Sequence, residues 1–384
     1  MDEATLRRRA HSVAELRRLA RRRLPRMVFD FVDGGAEEER TLRANEDAFA
    51  ELDLWPRPLN GTDGEDRSQA VRLLGLDLRL PVGIGPTGIS GMLWPDGELA
   101  AARAAAAAGT LYVTSHGSSA PLEAVQAASS GPKWFQLFTY RDRGLTRAFA
   151  ERAQAAGYAG LVLTIDNPVL GQRERDLRNG FTIPPRPTLR NALDLAFRAG
   201  WLWRMRRHRD LTMANYPGER TDIVSLGRHI AGLLDPAASW RDVATLRQLW
   251  RGPLILKGVL HPAEARRAAE EGVDAVIVSN HGGRQLDGAV AAARALPRVA
   301  EALGGRMPIL IDGGVRRGAD VAKALALGAS FCLIGRPHLW GLAVAGEAGV
   351  AWALELYRRE IDRVMVLGGW GGIEALDAGI LGPG

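Results

Sequence analysis

Ser279-Asn280-His281-Gly282-Gly283-Arg284 opens the segment SNHGGRQLDG (279–288), which carries the clearest chemistry in the chain. A histidine on an apolar strand face is more often a packed core residue. Here two glycines and an arginine follow His281, so the segment reads as a loop presenting an imidazole beside a cation. An imidazole accepts a proton near neutral pH, and a guanidinium grips an anion, which suits a general base beside a bound carboxylate or phosphate. Asp166, in LTIDNPVLGQRERD, is the natural carboxylate to orient His281 and stabilise its protonated form. Lys257 interrupts the apolar run LILKGV. A buried lysine needs an anionic partner or a task, and two tasks stand open: a Schiff base, or charge stabilisation of an electron-rich cofactor.

Two later segments, IDGGVRRG (311–318) and LIGRP (333–337), combine glycine with arginine. Glycine lets backbone N–H groups approach an anion, and Arg316 or Arg336 can hold it with a bidentate fork. The plain alternative is a pair of tight turns with surface arginines. The phosphate reading is stronger, because both segments fall where a barrel commonly holds a phosphate.

Such groups need a scaffold that gathers them. From Leu80 onward, apolar runs recur at 80–86, 110–115, 133–138, 160–165, 253–258, 274–279, 308–313 and 329–335. They are continuous rather than alternating, as strands covered on both faces should be. Helical patterns between them, such as DGELAAARAAAAAG and HPAEARRAAEEG, stop at Gly109 and Gly272. Eight strands separated by helices predict a (β/α)8 TIM barrel rather than an open doubly wound sheet. The residues following the strands are then Pro86-Thr87-Gly88, Ser115, Gln136, Thr164 with Asp166, Lys257, Ser279 with His281, Asp312-Gly313-Gly314 and Gly335-Arg336. One polar group at a strand end means little; eight together argue for a site.

The chain reads as one domain: an N-terminal helical arm and hairpin over 1–79, a barrel over 80–345 with an insertion over 171–250, and a C-terminal helix and tail over 346–384. More than eighty residues separate Asp166 from Pro253, an outlier that usually means function or disorder. The insertion contains IPPRPTLRNALDLAFRAGWLWRMRRHRD, whose basic and aromatic composition suits contact with a membrane surface. The alternative is a helix that packs its tryptophans onto the barrel.

Composition removes other classes. At 384 residues, 46% hydrophobic and 24% charged, the chain can bury a core and is not intrinsically disordered. Cys332 is the one cysteine, which excludes an intramolecular disulfide framework and a cysteine zinc site; no metal is expected. No run of eighteen apolar residues and no apolar signal-peptide core are present, so a cytoplasmic location is expected, with peripheral contact at the inner face of a membrane as an option. The net charge of +6 rests almost wholly on arginine and is interspersed with 44 acidic residues, which argues against a nucleic-acid partner.

The motifs SNHGGRQLDG, IDGGVRRG, LIGRP and LTIDNPVLGQRERD, with the N-terminal LPRMVFDFVDGGAEEERTLRAN, resemble the FMN-dependent α-hydroxy-acid oxidising enzymes, such as glycolate oxidase, lactate dehydrogenase and mandelate dehydrogenase. The resemblance runs from about Leu24 to Gly369, and GPTGISGMLWPDGE (85–98) looks most like the mandelate dehydrogenase branch. It implies a bound FMN and removal of two electrons from a carbon bearing a hydroxyl. By the same resemblance, Pro86, Thr87, Gly88, Ser115, Gln136 and Thr164 line the flavin, and Lys257 stabilises its anionic reduced form. Ser279 neighbours the ribityl chain or ring, while Asp312, Gly314, Arg316, Gly335 and Arg336 hold the chain and phosphate. His281 is the base with Asp166 behind it, and Arg284 and Arg173 clamp the substrate carboxylate. A homotetramer is implied too.

The departures carry information. Family members commonly have a tyrosine where this chain has Phe31, contacting the substrate carboxylate, and another where it has Phe138, near the substrate hydroxyl. Each lost hydrogen bond to a charged group weakens binding by roughly 1.5–3 kcal/mol. Tyr140, two residues beyond Phe138, would share its face on a regular strand and partly substitute. The reading is a bulkier or less polar substrate, mandelate-like, or a related carbinol; Gly117, where some short-chain oxidases have tryptophan, points to a wider pocket. Gly88, where oxidases often have alanine, favours a membrane quinone or electron-carrier protein as acceptor over oxygen. An oxygen-using oxidase, and a flavin-binding protein with altered or lost turnover, are the competing expectations.

Overall fold

The computed structural model describes residues 1–60, 67–180, 189–206, 212–216 and 232–382. An antiparallel hairpin of β1 (Val71–Leu73) and β2 (Leu76–Leu78) leads into eight longer-range strands. These are β3 (Val82–Ile84), β4 (Tyr112–Ser115), β5 (Lys133–Phe138), β6 (Gly160–Thr164), β7 (Leu254–Val259), β8 (Ala275–Val278), β9 (Ile309–Asp312) and β10 (Phe331–Ile334). All eight pair in parallel with their neighbours, and β10 returns to β3 to close the ring. The protein is a (β/α)8 TIM barrel, as the eight apolar runs predict.

Side-chain parity decides what fills it. Leu111, Val113, Trp134, Val162, Ile255, Ala275, Ile277, Leu310, Phe331 and Leu333 form one apolar cluster, which Leu73 and Leu78 of the hairpin join. Residues of the opposite parity, including Val82, Phe135, Leu161, Val276 and Cys332, pack outward into a second cluster with the helices. Alternation of this kind is forced by the strand period of two. The hairpin therefore stoppers the end of the barrel where the strands begin. Two residues beyond the last inward apolar side chain, the next inward position is polar or glycine: Ser115, Gln136, Thr164, Lys257, Ser279, Asp312 and Gly335. The barrel thus changes from oil to polar floor within one layer.

The N-terminal arm supplies one wall of the open end. Helix Val13–Arg23 starts at Ser12, whose hydroxyl accepts from the Glu15 N–H at 3.3 Å, and buries Leu16 and Ala20. Helix Arg26–Asp33 follows and carries Phe31 to the barrel mouth, while Arg40–Ala50 packs beside the β8 and β9 loops.

The connection between β6 and β7 holds helices Glu174–Arg178, Leu189–Ala196 and Ala199–Met205, a docked stretch over 212–216, and the helix Trp240–Leu249 that packs on Arg143–Ala155. Trp201 is tethered, its indole N–H donating to the Met92 carbonyl at 3.1 Å. Phe197 (81% exposed), Trp203 (56%) and Leu193 (55%) instead face outward. One tryptophan of this segment thus packs inward, and an apolar edge stays outside. Among the described residues, no helix is long and apolar enough to cross a membrane. Residues 181–188 and 207–211 of the basic–aromatic region lie outside the described residues.

Candidate active site

A cavity of about 630 Å³ opens at the ends of the strands, within the range of small-molecule sites. Its wall brings together Phe31, Pro86, Thr87, Gly88, Ser115, Gly117, Gln136, Phe138, Thr164, Arg173, Lys257, His281, Arg284, Asp312, Arg316, Gly335 and Arg336. Chain positions more than three hundred residues apart meet here. Four of the expected residues, Asp166, Ser279, Gly314 and Tyr140, lie off the wall, and each has a physical reason.

Asp166 stands behind His281, as a supporting carboxylate should. His281 Nδ1 lies 3.0 Å from Asp166 Oδ1. Burial would raise the Asp166 carboxyl, but His281 and Lys257 outweigh it and hold its pKa below the ordinary carboxylate value. With that carboxylate ionised, the Nδ1 hydrogen points at Asp166 and Nε2 is left as the acceptor. Gly258 makes the approach feasible: it has φ +102°, and a Cβ there would sit 2.8 Å from Asp166 Cβ. His281 itself is left-handed at φ 59°, and its backbone N–H donates to Ser279 Oγ at 3.0 Å. A non-glycine residue in that region marks a conformation imposed by its surroundings.

Ser279 sits between two charged groups: its hydroxyl accepts from Lys257 Nζ at 2.9 Å and donates to Asp312 Oδ1 at 2.5 Å. Asp312 also turns to Lys257, with Oδ2 at 3.1 Å from Nζ. Burial works against the Lys257 charge, yet Asp312 and Asp166 more than offset it, so its pKa is raised above the ordinary lysine value. Two carboxylates thus hold Lys257 as an ammonium, which favours charge stabilisation over the Schiff-base task that needs a neutral amine.

Gly314 also lies off the wall. At φ +83°, it packs so closely on the N-terminal arm that a Cβ would lie 2.0 Å from the Asn45 carbonyl oxygen. Arg336 is on the wall, but its guanidinium donates to the carbonyls of Val32, Gly282 and Gly34 at 3.2, 2.9 and 2.8 Å. It braces the loops. Arg316 is better placed for an anion: its Nε is buried without a partner among the described residues, while one terminal nitrogen reaches Glu46 at 3.0 Å. The start of helix Arg336–Ala345 lies on the same wall, and a helix N-terminus favours negative charge.

Positive charge is crowded next to Arg336. Arg284 donates to the Phe31 and Gly34 carbonyls at 2.8 and 3.0 Å, and Arg173 pairs with Asp176 at 3.3 Å. Both guanidinium carbons sit over the Phe31 ring, at 5.0 Å for Arg173 and 5.3 Å for Arg284. Phe31 thus holds the pair by its π face, where a phenol would have offered a hydroxyl. Burial, with Arg173 and Arg336 nearby, pulls the Arg284 pKa well below the ordinary arginine value; burial and Arg316 bring Arg336 down to about 10. Cations under that pressure call for an anion.

Tyr140 fails as a wall residue because β5 ends at Phe138. Beyond it the chain bends, Tyr140 bridges to Leu234, and its side chain is fully buried. Beside Gly117 the insertion comes close: Met213 Sδ lies 3.7 Å from where a Cβ would be. Sequence reasoning missed Met213, His116 and Tyr216. Asn215 locks their segment down by donating to the His116 carbonyl at 3.1 Å and accepting from the Leu122 N–H at 2.7 Å. No local signal in the sequence announces contacts a hundred residues apart.

The cavity fits FMN. The unpartnered Arg316 Nε suits a phosphate, the Ser115–Gln136–Thr164 chain (3.2 and 3.0 Å) lines the polar floor, and the Lys257 ammonium is held within it.

Comparison with known proteins agrees. The family described as FMN-dependent dehydrogenase matches residues 20–383. An L-lactate dehydrogenase of Caulobacter sp. (strain K31) is 43% identical over 374 residues, covering 96% of this chain and 98% of the relative. An L-lactate oxidase of Nostoc sp. is 43% identical over 371 residues, covering 96% of each. Among solved structures, the monotopic membrane protein (S)-mandelate dehydrogenase superposes with a TM-score of 0.93 at 39% identity, over 97% of this chain and 99% of that one.

Proposed function

This chain belongs to the FMN-dependent dehydrogenase family, an FMN enzyme that oxidises 2-hydroxy acids, and from that premise we propose that its substrate is bulky or aromatic and its electrons leave to a membrane-held acceptor. The observation that carries the reading is one cavity holding an Asp166-backed imidazole, a buried ammonium, and Arg284, whose guanidinium is bonded to carbonyls rather than a carboxylate, beside Arg173. Arg284 and Arg173 hold the substrate carboxylate. His281 Nε2 takes up one of the two protons the alcohol must shed, and Asp166 stabilises the imidazolium that results. When bound, FMN supplies the acceptor for the two electrons. Pro86, Thr87, Gly88, Ser115, Gln136 and Thr164 hold its ring side, and Arg316 with the start of helix Arg336–Ala345 holds its phosphate. Lys257, still cationic, compensates negative charge on the ring side.

The likeness to a mandelate dehydrogenase structure supports an aryl side chain, as do Phe138 and Met213 on the wall, which offer apolar surface and no hydroxyl. Anaerobic mixing with a panel of hydroxy acids tests this: mandelate-type acids should bleach the flavin faster than lactate or glycolate. Faster bleaching by lactate would overturn the aryl assignment.

For the acceptor, two features support a membrane quinone or a carrier protein bound at a membrane. Exposed Leu193 and Phe197 form an apolar edge, and a basin rimmed by Arg18, Arg21, Arg22 and Arg198 adjoins it. Such a pairing suits an anionic lipid surface. Replacing Leu193 and Phe197 by serine should release the holoenzyme from anionic vesicles in a flotation assay while the flavin stays bound. Undiminished vesicle binding would count against it. Deleting 190–215 is the poorer test, since it removes Met213 from the cavity wall. A homotetramer is the assembly that the resemblance implies.

A further inference from the structure

The cavity wall beside Phe138 carries an imidazole that none of the roles above uses. His116 is buried, and its ring sits edge-on to the Phe138 ring with centroids 4.3 Å apart. His116 Nδ1 lies 2.5 Å from the Tyr216 hydroxyl, and that hydroxyl lies 2.8 Å from the hydroxyl of Tyr140. Three polar groups from β4's end, β5's end and the insertion thus form one chain.

The direction of that chain can be worked out. The Tyr140 hydroxyl is fully buried, and the Tyr216 oxygen at 2.8 Å is the acceptor in reach of its hydrogen. A buried O–H left without an acceptor is costly, so Tyr140 donates to Tyr216. Tyr216 then spends its own hydrogen on His116 Nδ1. A neutral imidazole whose Nδ1 accepts must carry its hydrogen on Nε2. Burial, with His281 nearby, lowers the His116 pKa to about 3, so the ring stays neutral at working pH. Its Nε2 has no protein partner among the described residues and is not enclosed, while the residue lines the cavity.

We propose that the Nε2–H of His116 donates a hydrogen bond to the substrate's 2-oxygen, supplying from the neighbouring strand the donor that Phe138 lacks. The inference rests on the 2-hydroxy-acid reading above. The 2-oxygen is the atom in question because the carboxylate belongs with Arg284 and Arg173 at Phe31. His116 shares its part of the cavity with His281, the group that takes a proton from the alcohol. An imidazole held as a donor serves both ends of the reaction, since the alcohol oxygen and the ketone oxygen each accept. The relay explains why the insertion docks Tyr216 here: the tyrosine fixes the tautomer. Tyr140, off the wall, is a positioning residue that acts through Tyr216.

The test uses the FMN-loaded full-length enzyme, anaerobic stopped-flow reduction, and equilibrium binding of the 2-oxo product read from the flavin spectrum. His116→Phe should lower reduction efficiency about tenfold, the scale of one hydrogen bond, and weaken product binding by a similar factor. The loss should be the same for hydroxy acids with hydrocarbon and with polar side chains. His116→Gln, whose amide can accept from Tyr216 and donate to the cavity, should retain more, and adding Phe138→Tyr to His116→Phe should restore much of the loss. Tyr216→Phe, away from the barrel strands, gives a milder version should His116→Phe fold poorly. The pH profile should keep its shape, because a neutral donor adds no titration. Unchanged rates and product binding in His116→Phe would overturn the assignment. So would a loss confined to substrates with polar side chains, or a lost limb of the pH profile. If no hydroxy acid bleaches even the unaltered enzyme, the functional reading fails, and this inference fails with it.

Discussion

His281→Asn should slow anaerobic reduction of the flavin by a hydroxy acid by about 10²–10⁴-fold, the range for removing a general base, with flavin content unchanged. Asparagine is the sharper choice than alanine. His281 has φ 59°, a region asparagine enters more readily than most residues, so the loop holding Arg284 keeps its shape while the base is gone. The imidazole's orientation comes from Asp166 at 3.0 Å, and the carboxylate is ionised at neutral pH because His281 and Lys257 outweigh its burial. Asp166→Asn should therefore cost less than His281→Asn, since it leaves the base in place but removes what fixes its tautomer. Rapid-mixing absorbance at the flavin band measures both. Near-normal reduction in His281→Asn would show that the proton goes elsewhere.

Lys257→Met should reduce the same rate by about 10²–10³-fold, as expected for losing one preorganised charge, and should also weaken FMN retention on gel filtration. The ammonium sits 3.1 Å from Asp312 and 2.9 Å from Ser279 Oγ. Its removal leaves the carboxylates of Asp312 and Asp166 without their cation, and breaking a buried pair in this way is strongly destabilising. Because its pKa is raised in the folded protein, the ammonium stabilises the fold throughout the range below the ordinary lysine value, and that contribution fades as pH climbs through the raised value. An alkaline limb in the activity profile near pH 8 or 9 would therefore belong to another group. Full activity in Lys257→Met would remove the ammonium from the account.

Much of this was legible from residue order. Strand runs read as barrel strands because both faces are covered. The two-residue period then assigns Ser115, Gln136, Thr164 and Lys257 to the floor once the last inward apolar residue is known. His281 and Arg284 were legible because paired glycines flank them. Reading failed where the strand period stops applying. Tyr140 has the parity of Phe138, but β5 ends between them. Residue order was silent, too, on the close packing of Gly314 against the arm and on the carbonyls that Arg336 braces. The insertion's composition spoke of a surface, and nothing in it revealed that Met213 and Tyr216 would fold back over Gly117 and His116.

With Leu73 and Leu78 wedged among the inward side chains of the strands, the tunnel a barrel might have offered is a blind alley. Fuel and spent product are thereby turned toward the mouth at the strand ends, where the arm and the insertion crowd together.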